Sequence, residues 1–265
     1  EFSSNATQED IAYAILDKQA IDEGNKNPLG AKRRRVRIAK KDTDKVYTVN
    51  GKEGENFDLK KNKVSVEQQP LFKDGKDFFS YIKPIKVNVP KGKILIQYFY
   101  QYGCKNCLIG LDSLNLYVKN HADKLVLQTS PSFAKDENFT SAMNATFKEY
   151  GKEDLSPLYL FDSLDRKEEK SLLKSNEEIR AWLKRNGIDD KRFHQLFHSE
   201  LVKKQIEADV NLFKQYGSPK YVPMAVLNGK YILLQNTLYN DDYTFGVLDF
   251  LVEKLQQEQG DNDGK

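Results

Sequence analysis

The stretch from Ile94 to Lys119 constrains this chain more than any other. Ile94, Ile96, Tyr98 and Tyr100 alternate with Leu95, Gln97 and Phe99, so nearly every position suits burial. That pattern predicts a central strand covered on both faces. Tyr102-Gly103-Cys104-Lys105-Asn106-Cys107 follows. Leu108, Leu111, Leu114, Leu116 and Val118 then recur at helical spacing among Asp112, Ser113, Asn115 and Lys119. A Cys-x-x-Cys at a strand-to-helix junction sets its first sulfur at the helix N-terminus, where unpaired N–H groups and the helix dipole favour a thiolate. The second sulfur, one turn further in, is placed to resolve a mixed disulfide.

These are the only two cysteines in 265 residues. A structural disulfide between such close neighbours would close a very small loop and stabilise little. A zinc site would need further ligands, and His121, His194 and His198 lie far away in sequence. The bland alternative is an incidental pair, but the strand-turn-helix setting is the one in which this motif reads as redox-active.

The length is ample for a large core with an appendage. Charged residues make up 31% of the chain, yet the net charge is only +3. The chain as a whole therefore has no strong pull toward nucleic acid or membrane. No apolar run is long enough to cross a bilayer, and no signal peptide is present; in an exported protein the signal would have been removed.

Residues 1–67 read as a small appended module: a short amphipathic helix, a basic run from Lys32 to Lys41, and extended segments. The basic run reads as a solvated strand with Val36 and Ile38 inward, or else as a docking stretch for an anionic partner. The module would pack on the main domain or on a second copy of the chain, the latter making a homodimer. Pro70 to Pro84 reads as a turn and an extended edge segment, and Lys124 to Gln128 as a second buried strand.

Residues 136–216 carry helical stripes: Phe139, Met143, Phe147 and Tyr150; Leu158, Leu160, Phe161 and Leu164; and a run from Phe193 to Phe213. These predict several helices packed as a subdomain. His194 and His198 have a spacing that can bind metal, but no carboxylate or thiol motif completes a site, and no metal is expected. Tyr221 to Leu234 holds two apolar strands flanking Asn228-Gly229, a two-residue hairpin signal. Pro223, just before a buried strand, marks an edge or a turn and is a candidate cis bond. Tyr243 to Leu255 predicts a terminal helix, and residues 259–265 a disordered tail.

This order of elements resembles the DsbA family of thiol:disulfide oxidoreductases, a thioredoxin fold interrupted by a helical domain. The resemblance spans about Gln68 to Leu255. It rests on Cys104-Lys105-Asn106-Cys107, the lead-in Asp74-Gly75-Lys76, the Phe193 to Val202 helical stretch, Tyr221-Val222-Pro223 and Asn228-Gly229-Lys230-Tyr231. It implies an α/β thioredoxin-like domain from residues 68–135 and 217–258, the helical insertion at 136–216, and the appended module outside the family's minimal form.

Residue by residue, the resemblance makes Cys104 the exposed nucleophile and Cys107 the buried resolving cysteine. Lys105 and Asn106 form the active-site dipeptide. Pro223 becomes a cis-proline facing the pair, and Val222 presents its backbone to an extended client. It also implies a protein disulfide oxidase with no cofactor, cysteine-containing exported clients, a DsbB-like membrane reoxidase, and a periplasmic or otherwise exported location. Two departures bear on the chemistry. Lys105-Asn106 replaces the common Pro-His, which should lower the reduction potential. Tyr98 stands where a buried glutamate is frequent. An isomerase or reductase, and a redox-silent peptide-binding protein on the same fold, are the alternatives.

Overall fold

The structure, a computed structural model, describes residues 71–134, 138–164 and 171–263. The appended module of residues 1–67, and any homodimer built through it, lie outside the described residues.

The central strand forms where the alternation places it. β2, Ile94–Tyr100, is buried at all seven positions. Ile94, Ile96, Tyr98 and Tyr100 enter one hydrophobic cluster and Phe99 enters a second on the opposite face. The helix after the cysteines, α1, covers Lys105–Asn120. It returns the chain to β3, Leu125–Pro131, which pairs parallel to β2 with Ile94 opposite Leu125. Such a parallel neighbour requires a crossover, which α1 supplies.

The described chain then makes six helices before re-entering the sheet: α2 (Phe139–Tyr150), α3 (Leu155–Asp162), α4 (Ser171–Lys174), α5 (Asn176–Arg185), α6 (Asp190–Phe197) and α7 (Glu200–Gln215). Local capping sets several boundaries. Ser175, Asp189 and Ser199 each accept a backbone N–H three residues on, meeting a donor the helix start leaves unpaired. The helical core centres on Trp182, whose ring lies 4.8 Å from Tyr159 and whose Nε1 donates to Asp162 Oδ2 at 2.8 Å.

β4 (Met224–Leu227) and β5 (Tyr231–Leu234) follow, and β4 inserts antiparallel between β2 and β5. With the short β1, Phe79–Ser80, on β5, the sheet order is β1-β5-β4-β2-β3. β4 is thus an interior strand, and Pro223 marks its start rather than a sheet edge. α8, Asp241–Asp263, packs against α1. Tyr117 donates to Asp249 Oδ1 at 2.8 Å and Ser113 to Asp241 Oδ1 at 2.6 Å across that contact. Among the described residues no helix is long and apolar enough to cross a membrane.

Three expectations need correction. The tail expected to be disordered from residue 259 continues α8 to Asp263. Tyr231 donates to Glu258 at 2.6 Å, Lys230 pairs with Glu258 at 2.9 Å, and Gln259 donates to the Lys93 carbonyl at 3.3 Å. Those contacts hold the last turns onto the sheet. The apolar stripe in α3 is turned: Leu158 and Phe161 are exposed, and Leu155, Tyr159 and Leu160 are buried. The hairpin loop has three residues, because Leu227 pairs with Tyr231.

Asn228 and Gly229 both take left-handed backbone conformations in that loop, with φ of 50° and 67°. Asn228 extends pairing to β2, giving its N–H to the Leu95 carbonyl and accepting the Leu95 N–H on Oδ1, both at 2.8 Å. Gly229 also faces a backbone at close range: a Cβ there would sit 2.3 Å from the Ile85 carbonyl oxygen. Gly229→Ala therefore meets conformational strain and a backbone collision together. It should cost about 2–4 kcal/mol in a urea unfolding measurement.

Candidate active site

The site is built at the C-terminal end of β2. Cys104 is the N-cap residue of α1, in extended conformation, and its Sγ accepts the Cys107 N–H at 3.1 Å. The two sulfurs are joined as a disulfide with the Cα atoms 5.2 Å apart. Cys104 is half-buried while Cys107 is completely buried. The first turn of α1 holds no acidic residue, so nothing there offsets the positive end of the helix dipole. Lys105 is exposed and Asn106 half-buried. In the disulfide state neither side chain hydrogen-bonds a sulfur among the described residues.

The loop into the site is fastened by the helical insertion. Tyr102 gives its N–H to Thr140 Oγ1 at 3.1 Å. The Tyr102 and Tyr100 hydroxyls share Ser156 Oγ at 2.6 and 3.0 Å. The Tyr102 ring lies 4.7 Å from that of Tyr159, whose hydroxyl donates to the Leu172 carbonyl. Burial, then the neighbouring Tyr100, holds the Tyr102 phenol well above its ordinary value, so it stays protonated. Gly103, at φ 76°, gives its N–H to Ser163 Oγ at 2.8 Å, and a Cβ there would lie 2.5 Å from Leu173 Cδ1.

Below the turn, the fully buried Tyr98 donates its hydroxyl to the Cys107 carbonyl oxygen at 2.7 Å. Burial, then the Asp112 carboxylate, keeps this phenol well above its ordinary value. A neutral hydroxyl therefore occupies the place where the resemblance implied a carboxylate.

The Val222–Pro223 bond is cis. Met224 pairs with Phe99, and continuing that register puts Pro223 beside Tyr100 and Val222 beside Gln101, at the sheet end that leads to Cys104. Pro223 is buried, and Val222 is half-buried against both clusters. The topology thus gathers the cysteine turn and the Val222–Pro223 bond at one end of the sheet. No sequence signal points to Thr140, Ser156 and Ser163, because their contacts with Tyr102 and Gly103 join segments far apart in the chain. His194 and His198 fall on α6 and its C-cap, with ring centroids 4.5 Å apart.

The sheet order, the helical insertion and a disulfide at the start of the helix after the central strand define a thioredoxin-like fold carrying a redox pair. The chain matches no protein-family model. It is 38% identical over 189 residues to an uncharacterized protein of Haemophilus influenzae, covering 71% of this chain and 80% of that one. It is 25% identical over 186 residues to the thiol:disulfide interchange protein DsbA of Burkholderia cepacia, covering 70% of this chain and 86% of that protein. A crystal structure of a Pseudomonas aeruginosa DsbA variant superposes with a TM-score of 0.58 at 26% identity, over 70% of this chain and 99% of that one. The chain is a thioredoxin-fold thiol:disulfide oxidoreductase similar to DsbA.

Ser156→Ala removes the shared partner of two buried phenols. It should cost about 1–3 kcal/mol in urea unfolding. The loss should be equal for the oxidised and reduced protein, because the contact lies in the loop's anchorage and not at the sulfurs.

Proposed function

We propose that the Cys104–Cys107 disulfide is donated to thiols of exported client proteins, with Cys104 as the attacked sulfur and Cys107 as the resolving one. The observation that carries this reading is the unequal burial of two bonded sulfurs at a helix start. A client thiolate can reach the half-buried Cys104 Sγ but not the buried Cys107. Attack there breaks the S–S bond and forms a client–Cys104 mixed disulfide, and Cys107 leaves as a thiolate that takes up a proton. A second client thiolate attacks the client sulfur and expels Cys104 as a thiolate. The client has then lost two electrons and the pair has gained them. The expelled thiolate sits at the positive end of α1, which stabilises it and draws the reaction toward donation.

In this reading Val222 and Pro223 supply the edge along which an extended client lies, and Lys105 and Asn106 set the charge and polarity around Cys104. Clients are cysteine-containing proteins in an oxidising compartment, the periplasm, and a DsbB-like membrane partner restores the disulfide. The thioredoxin-like domain takes in residues 68–135 and the chain from 217 to the end of α8 at Asp263, with 136–216 inserted. Lys105-Asn106 also favours a second reading, in which the same exchange runs as an isomerase or reductase. Without a histidine in the dipeptide the thiolate is less stabilised and the disulfide less oxidising. Equilibration with glutathione separates the two: an oxidase gives up its disulfide readily, and a reductase holds it.

Alkylation of the reduced protein at mildly acidic pH should label Cys104 first, followed by peptide mass mapping. Preferential labelling of Cys107 would reverse the assigned roles. Asn106→His should raise the reduction potential by on the order of tens of millivolts, where about 30 mV is a tenfold change in equilibrium. An unchanged or lower potential would mean that the dipeptide does not set the redox poise.

A further inference from the structure

Gly110 is an unexpected residue in the middle of α1, since glycine is a poor helix former. Its backbone has no left-handed angle to explain it. Space does: a Cβ at residue 110 would lie 2.6 Å from the Tyr98 hydroxyl oxygen. Through the notch left by the missing side chain, that hydroxyl reaches the Cys107 carbonyl at 2.7 Å. Tyr98 is itself fully buried on β2. The two residues are therefore a fitted pair, one removing atoms so that the other can hold the turn that carries the inner sulfur.

We propose that Tyr98, seated against Gly110, is a positioning residue for Cys107 that holds the inner sulfur opposite Cys104 while the disulfide is open. The inference rests on the reading of Cys104 as the attacked sulfur and Cys107 as the resolving one. When the pair is closed, the S–S bond fixes the first turn of α1. When Cys104 carries a foreign thiol, that restraint is gone and the turn relies on its hydrogen bonds. Ring closure then requires the Cys107 thiolate, its proton given to solvent, to attack Cys104 Sγ; the new S–S bond forms as the foreign sulfur leaves as a thiolate. A hydroxyl anchoring the Cys107 carbonyl lowers the freedom of the open form. Its hydrogen bond is accordingly worth more in the closed form, where the ordering is already complete. Tyr98 does this without placing a charge under the pair.

Tyr98→Phe removes only the hydroxyl. In glutathione redox buffers the equilibrium constant for closing the Cys104–Cys107 disulfide should fall about three- to tenfold, the worth of one buried hydrogen bond. The tenfold limit corresponds to a potential raised by about 30 mV. The fraction trapped by acid quench as the glutathione mixed disulfide at Cys104 should rise with it. A merely structural tyrosine would weaken the oxidised and reduced forms alike and leave that constant unmoved, which would overturn the proposal. Should Tyr98→Phe fail to fold, Tyr98→Phe combined with Gly110→Ala fills the vacated notch with a methyl group. That double variant should show the same fall, and a wild-type constant in it would equally overturn the proposal. The underlying reading fails separately and visibly, in the wild-type protein, if no reversible dithiol–disulfide couple exists or if glutathione is found on Cys107.

Discussion

A strand buried along its whole length cannot leave polar groups to water, and in this protein that strand leads into the turn that carries the two bonded cysteines. β2 carries Gln97, Tyr98 and Tyr100 into the interior, and each finds a partner from another element. Gln97 donates to Ser130 on β3 at 2.8 Å, Tyr98 to the first turn of α1, and Tyr100 meets Ser156 on α3. An unmet buried polar group costs about 1–3 kcal/mol, so these pairings fix how β3, α1 and the helical insertion sit on the strand. The site inherits its geometry from them. Cys104 is held where it is by the strand beneath it and by the insertion that grips Tyr102 and Gly103.

The parts legible in the sequence were those governed by short-range periodicity. The alternation in β2 and the leucine spacing after Cys107 located the strand, the helix and the junction between them. The interior faces of the helices were less legible. Leu116 and Leu201 are exposed while Tyr117 and Val202 are buried, and in α3 Tyr159 displaces Phe161 from the core. A tyrosine ring buries as much apolar area as a leucine, provided its hydroxyl reaches a partner. Tyr117 finds Asp249 and Tyr159 finds the Leu172 carbonyl. Those partners come from other elements, so a leucine pattern read along one helix could not rank the tyrosines correctly.

The same limit explains the end of α8. Its last turns lack an apolar stripe, and a reading by composition makes them solvent-exposed chain. Their order comes from polar contacts to the hairpin and to the start of β2, through Glu258 and Gln259. The Cys-x-x-Cys and its setting were legible because the chemistry demands that local arrangement. The network that presents it was not, since Thr140, Ser156 and Ser163 are ordinary residues until the insertion folds over the loop.

The insertion between β3 and β4 also sets the order in which the sheet can be completed. β2 receives β3 early, with Ile94 opposite Leu125, but Ile96 must wait for Leu227 on the far side of the helical insertion. Contacts between segments so distant in sequence close late and slow folding. On a chain emerging from the N-terminal end, both cysteines are therefore made well before the strand that completes their side of the sheet. Cys107 shares its buried cluster with Ala225, Leu227 and Leu248, so part of the core that encloses it comes from chain made after the insertion. The more deeply enclosed of the two cysteines thus depends on the part of the chain that is made last.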